Sequence, residues 1–263
     1  MGFRNDQTGF PSELLSSRAV IKKGEYALLT PDGMVNNVIP GFDNCDTTIL
    51  GSPKMGATFV DYLVDVKSGG SISSFGGDGV ETFAYVIGGE IQASTGAQTQ
   101  TIVKGGYVYG PPSQCLNIQN KTQDTAHLFL YKRRYHPAEG YPEPPAVFGH
   151  VDDLEAIAYE GMENVKFYNF LPAVDDLSFD MNMHILSFEQ GGSHGYVETH
   201  VQQHGAYILS GRGMYNLGNQ WMPVMQGDYI FMDAYAQQAA YAVSTDESFC
   251  YIYSKDCNRD EEI

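Results

Sequence analysis

ETHVQQHGAYILSG, residues 198–211, carries two signals side by side. Its second half, GAYILSG (205–211), is a short apolar run closed by glycine, the pattern of a buried strand that ends in a turn. Its first half sets a carboxylate and two imidazoles just ahead of that strand, at Glu198, His200 and His204. A polar loop rich in histidine is the plain reading of that half, and a metal site is the sharper one. The strand pattern has a counterpart earlier in the chain. Tyr85-Val-Ile-Gly-Gly89 precedes Tyr207-Ile-Leu-Ser-Gly211 by 122 residues.

The same offset recurs. Lys67-Ser-Gly-Gly-Ser71 matches Glu189-Gln-Gly-Gly-Ser193, Tyr107-Val-Tyr109 matches Tyr229-Ile-Phe231, and Phe129-Leu-Tyr131 matches Tyr251-Ile-Tyr253. Such self-similarity predicts two copies of one module. Each copy reads as short strands, such as FVDYLVDV (59–66), TFAYVIGG (82–89), MHILSF (183–188) and DYIFM (228–232), separated by Gly-rich turns. Short strands at regular spacing predict a sandwich or small barrel. Residues 1–55 read as an N-terminal extension with two turn signals, TPDG and PGFDN, expected to pack on a barrel or on a neighbouring subunit. Residues 56–135 form the first module and 181–263 the second. Residues 136–180, with PEPP and the acidic DDLEAI, read as a connector containing about one helical turn.

Composition narrows the function classes. Fifteen basic against 32 acidic residues give a formal charge of −17, which repels phosphate backbones and argues against a nucleic-acid partner. An anionic substrate would therefore need a local cation. No apolar run approaches the roughly 18 residues of a membrane span. MGFRNDQTGFPSELL lacks the apolar core of a signal peptide, and Asp6 stands where a myristoylation site wants Ser or Thr, so a cytoplasmic protein is expected. Cys45, Cys115, Cys250 and Cys257 form no CxxC pair and read as free thiols of a reducing compartment.

The spacing around the opening stretch resembles the first motif of the cupin superfamily, a glycine followed by His-x-His-x3-Glu and a closing glycine. Here Gly192 and Gly211 bracket Glu198, His200 and His204, so the order is Glu-x-His-x3-His. The second cupin motif opens at Gly227; Asp233 and Tyr235 replace its proline and glycine, and Gln238 falls on its histidine position. The resemblance implies an all-β bicupin, two tandem jelly-roll barrels, with Glu198, His200, His204 and Gln238 as metal ligands. Residues two apart on a strand share a face, and the three residues after His200 can turn into the next strand. One carboxylate, two imidazoles and an amide oxygen suit Mn²⁺ or Fe²⁺, and Zn²⁺ is compatible. The 122-residue offset maps these positions onto Gly76, Asp78, Thr82 and Leu116, so the first module is expected to lack a metal.

The altered ligand order is similar to that of the (S)-ureidoglycine aminohydrolase family. So are LLTPDG, FVDYLV, FLYKRRY, HGAYILSG, YNLGNQW and the terminal YSKDCNRD. The resemblance implies hydrolytic deamination of (S)-ureidoglycine to (S)-ureidoglycolate and ammonia in purine (allantoin) degradation, by a homo-oligomer acting on a small molecule. It puts Tyr215, Tyr251 and Lys255 at the substrate, with Glu198 as both ligand and proton shuttle. Lys255 shares strand parity with Tyr251 and Tyr253 and can meet the substrate carboxylate as a point charge. Packed core tyrosines and a surface lysine are the bland readings of these three. His184 is expected to be packed and His194 to be exposed in its turn; His127, His136 and His150 belong to no constellation. Two alternatives stay open: a non-haem iron dioxygenase, and a bicupin that binds a small molecule without turnover.

Overall fold

The computed structural model describes residues 18–256 and is almost entirely β. Helix is limited to two 3₁₀ turns, Pro31–Gly33 at the TPDG signal and Val151–Asp153 beside DDLEAI. The chain divides into two compact units, one built chiefly from residues 27–135 and 145–153, the other chiefly from residues 154–256. The tandem-barrel, all-β architecture expected from the repeat is the one observed. Cys257 and the end of YSKDCNRD lie outside the described residues, as do Gly2 and Asp6.

The N-terminal unit is a ten-stranded sheet. Its central run is Gly106–Gly110, Val80–Gly88, Ala126–Arg134, Phe59–Gly76 and Cys115–Gln119, each strand antiparallel to the next. Phe42–Ile49, from the expected extension, adds to Phe59–Gly76. Side chains alternate faces along these strands. Val64, Val66, Ala84, Val86, Leu128 and Leu130 thereby meet in one cluster with essentially no exposure. Burying aliphatic side chains of this kind contributes roughly 1.5–3 kcal/mol each.

In the C-terminal unit six strands follow one another: Tyr229–Met232, His204–Ser210, Phe249–Asp256, Met181–Phe188, Met162–Asn169 and Ile157–Tyr159. A second sheet holds Gln220–Met225, Arg212–Leu217 and Gln238–Ala242. Residues 157–169 of the expected connector thus belong to this unit's sheet, paired onto Met181–Phe188.

The repeat extends to backbone conformation. Gly89 and Gly211 both sit in the left-handed region, at φ +79° and +72°. A Cβ at Gly89 would stand 2.9 Å from Ala126 Cα, and one at Gly211 2.5 Å from the Ser248 carbonyl. Only glycine combines that φ with so close an approach.

One element of the repeat is corrected. In the N-terminal unit Leu130 pairs with Tyr62 on one side and Ala84 on the other. In the C-terminal unit Tyr253 pairs with His184 and Ala206. Tyr62 and His184 are 122 residues apart, as are Ala84 and Ala206, but Leu130 and Tyr253 are 123 apart. The turn before the last strand is one residue shorter in the first unit. Leu128, Leu130 and Lys132 therefore correspond to Tyr251, Tyr253 and Lys255, and the Phe129/Tyr251 match is out of register. A slip of one residue reverses every face, which is why it matters here.

Candidate metal centre

The opening stretch lies where two sheets meet within the C-terminal unit. Glu198 and His200 lie on an extended segment outside the main strands, tied to the first residue of Gln238–Ala242. The Glu198 N–H donates to the Gln238 carbonyl and the Gln238 N–H donates back to Glu198, both at 3.0 Å. Tyr235 N–H holds the His200 carbonyl at 2.7 Å. Three residues then turn the chain, and His204 opens the strand His204–Ser210.

His204 is oriented from behind. Its Nδ1 lies 2.7 Å from the buried Ser254 carbonyl and donates to it, because a carbonyl can only accept. That fixes the tautomer and leaves Nε2 with a free lone pair, the arrangement found in metal-ligating histidines. Nε2 of His204 points at Nε2 of His200 across 3.1 Å, and the Gln238 amide nitrogen lies 2.8 Å from the same His200 atom. A half turn of that amide would present its oxygen instead.

Electrostatics keep both imidazoles neutral. Burial, and then the Lys255 cation, lower the His200 pKa; burial and then His200 itself hold His204 well below the usual histidine range. Neutral imidazole is the form that binds metal. Burial pushes the Glu198 carboxyl upward, opposed by Lys255 and by a hydrogen bond from Tyr159.

The residues present fit a divalent cation. Two imidazole nitrogens about 2.1 Å from one ion and at right angles to each other stand about 3 Å apart, close to the observed spacing. Among the described residues no three His, Cys, Asp or Glu side chains converge into a ready-made cluster. One of the four candidate donors, Gln238, is an amide and falls outside any such cluster.

All seven residues singled out from the sequence line one small cavity: Glu198, His200, His204, Gln238, Tyr215, Tyr251 and Lys255. Tyr215 and Tyr251 are fully buried, with ring centroids 5.7 Å apart and their hydroxyls hydrogen-bonded to each other. Burial raises both phenols far above the usual range, so they stay protonated donors.

Sequence reading missed four members of this wall, the apolar Leu186 and three aromatic rings. Tyr253 packs its ring edge-on to His204 at 5.2 Å, and its parity with Tyr251 was the available signal. Tyr159 arrives from the region read as a connector, where no local pattern marked it. His194, expected in solvent, is instead partly buried against Phe188 and Tyr159. Its Nδ1 accepts from Ala240 N–H at 2.8 Å, and burial lowers its pKa to about 4. The Gly-rich turn folds back onto the strand Gln238–Ala242, which the turn sequence alone does not reveal. His184 is packed as expected, between the rings of Phe167 and Tyr253 at 4.7 and 5.1 Å. It also lines an adjoining cavity that shares Tyr159, Tyr253 and Lys255 with the first.

The N-terminal unit serves as the control. Gly76 stands at the position of Glu198, and a Cβ there would meet Thr82 Cγ2 at 2.3 Å. No side chain fits where the C-terminal unit carries its carboxylate.

Two β-barrel units of one repeat, with His- and carboxylate-bearing strand ends in the second, define a bicupin. The structure matches that of oxalate decarboxylase from Bacillus subtilis with TM-score 0.67 at 11% identity, over 99% of this chain and 88% of that one, a likeness of fold. It matches the crystal structure of protein Ylba from E. coli with TM-score 0.86 and 55% identity, over 97% of this chain and 100% of that one. The chain is 57% identical to the (S)-ureidoglycine aminohydrolase of Escherichia coli over the full length of both. It is 29% identical to that of Arabidopsis thaliana, over 92% of this chain and 79% of the relative. The chain belongs to the (S)-ureidoglycine aminohydrolase family. No family model matches it.

Proposed function

We propose that this protein hydrolyses (S)-ureidoglycine to (S)-ureidoglycolate and ammonia, at one site per chain in the C-terminal unit. The observation that carries the reading is the single cavity lined by all seven residues chosen from the sequence. The family relatives named for this activity support it.

In this reading Glu198, His200, His204 and Gln238 hold a divalent cation, with Mn²⁺ favoured by the mixed oxygen and nitrogen donors. A cation held there supplies Lewis-acid polarisation and fixes the position of the substrate. Lys255 anchors the substrate carboxylate, and the field of a chain with formal charge −17 makes such a local cation necessary. Tyr215 and Tyr251 orient the amino and ureido groups through their protonated hydroxyls. Glu198 accepts a proton from water at a carboxylate oxygen and delivers it to the leaving α-amine. The C–N bond to the amine breaks, ammonia departs, and the water oxygen bonds to the same carbon. Tyr159 donates to Glu198 and steers which oxygen is free. Free Cys45, Cys115 and Cys250 suit a reducing compartment, and the cytoplasm is proposed.

The test is ammonia release from freshly generated ureidoglycine, with an enzyme-free control because the substrate decays spontaneously, together with elemental analysis of the purified protein. Metal-dependent, stereoselective release above background is the expected result. Bound metal with no release would reject the reading.

A further inference from the structure

The N-terminal unit has its own open cavity, and Lys132 lies in its wall beside Val60, Ser74 and Arg134. The register of the last strand makes Lys132 the counterpart of Lys255. Lys132 pairs with Val60 and Thr82, and Lys255, whose strand neighbours that of His204, pairs with Asn182. Among the described residues no carboxylate pairs with Lys132. Its ammonium instead lies 5.5 Å from the ring centroids of both Tyr62 and Phe75. We propose that this cavity is a second small-molecule site, which binds a small carboxylate through Lys132 and does not turn it over.

Three observations carry the proposal. The cation is placed at the barrel position that the C-terminal unit gives to its own cavity lysine. It is held over two aromatic faces, which orient an ammonium without neutralising its charge. Partial burial lowers the Lys132 pKa, a cost that an anion beside it offsets. In a chain with only fifteen basic residues, Arg134 follows Lys132 on the same face of the strand, and both line this cavity.

Absence of turnover follows from the same wall. Gly76 and Thr82 replace Glu198 and His204, and Leu128 and Leu130 replace Tyr251 and Tyr253. The interior beneath is closed by the aliphatic cluster. What remains is an anchor without imidazole donors; the one carboxylate among the four mapped positions, Asp78 at that of His200, is solvent-exposed.

The carboxylate class rests on the reading of Lys255 as the substrate anchor, so the experiment separates the two. Full-length, metal-loaded protein is titrated calorimetrically with glycolate. Wild type is expected to show two binding events per chain. Lys132→Met, which keeps a long apolar stem under the aromatic rings, should weaken one of them about tenfold or more and leave ammonia release within about twofold. Ser74→Asp should do the same by placing a carboxylate in the cavity, and its backbone at φ +55° is one that Asp tolerates. Lys255→Met should remove the other event. If both Lys132→Met and Ser74→Asp retain wild-type stoichiometry and affinity, the second site does not exist. If only Lys255→Met is without effect, the N-terminal site stands and the anchor role of Lys255 falls.

Discussion

Glu198 and Gln238 exchange both of their backbone hydrogen bonds at 3.0 Å, although 40 positions separate them in the chain. This reciprocal clip fixes the two outer donors of the candidate centre by main chain, so their side chains can be altered without loosening the segment. Glu198→Gln is therefore expected to fold with an unchanged melting temperature. It should lose about a hundredfold or more in turnover, the range of a removed general base. Ammonia release and thermal denaturation, measured together, check both halves.

His204→Ala removes a donor and strands the Ser254 carbonyl in the interior. Metal content per chain should fall sharply. Stability should drop by about 1–3 kcal/mol for the unpaired carbonyl, beyond the loss of packing. Elemental analysis and urea denaturation of metal-free wild type and variant separate the two effects, because the stability loss persists without metal.

Lys255→Met should raise KM by about tenfold or more while changing kcat less, if Lys255 anchors the substrate without touching the reacting carbon. Equal losses in kcat and kcat/KM would assign Lys255 to the chemical step.

Tyr159→Phe deletes the hydrogen bond to Glu198 and little else, since the ring still packs near Phe167 at 5.9 Å. A hydrogen bond to a charged group contributes about 1.5–3 kcal/mol, so kcat should fall roughly tenfold or more with KM nearly constant. Steady-state kinetics decides it.

His184 is fully buried, and burial followed by the Lys255 cation lowers its pKa from 6.5 to about 3. Between those values the unfolded chain binds a proton that the folded one refuses. Its contribution is thus full above pH 6.5 and is lost as pH falls toward 3. The slope reaches about 1.4 kcal/mol per pH unit. His184→Phe keeps a ring between Phe167 and Tyr253, and should flatten the fall in unfolding free energy between pH 7 and pH 5. Parallel slopes for variant and wild type would dismiss this source.

Much of the fold was legible because its signals are local. GAYILSG and its counterpart near residue 85 carry strand composition, a closing glycine and a fixed offset. The spacing of Glu198, His200 and His204 survives folding because the segment is short and extended. The last strand was read out of register because FLY and YIY are both apolar triplets, and three residues do not reveal which face each occupies. Tyr159 and His194 were invisible as cavity residues. Sheet pairing brings the first onto Met162–Asn169, and backbone bonds to Ala240 fold the second onto its strand.

The sequence by itself therefore determined the duplication, the β class and the choice of candidate donors, since composition, periodicity and spacing are properties of neighbouring residues. Tertiary structure decided which lysine of the first unit corresponds to Lys255, which histidines are neutral, and which tyrosines close the cavity. Those depend on register across strands and on burial. A single residue of slip reverses a face, and exclusion of water decides the charge of an imidazole; neither is written in any short stretch of chain.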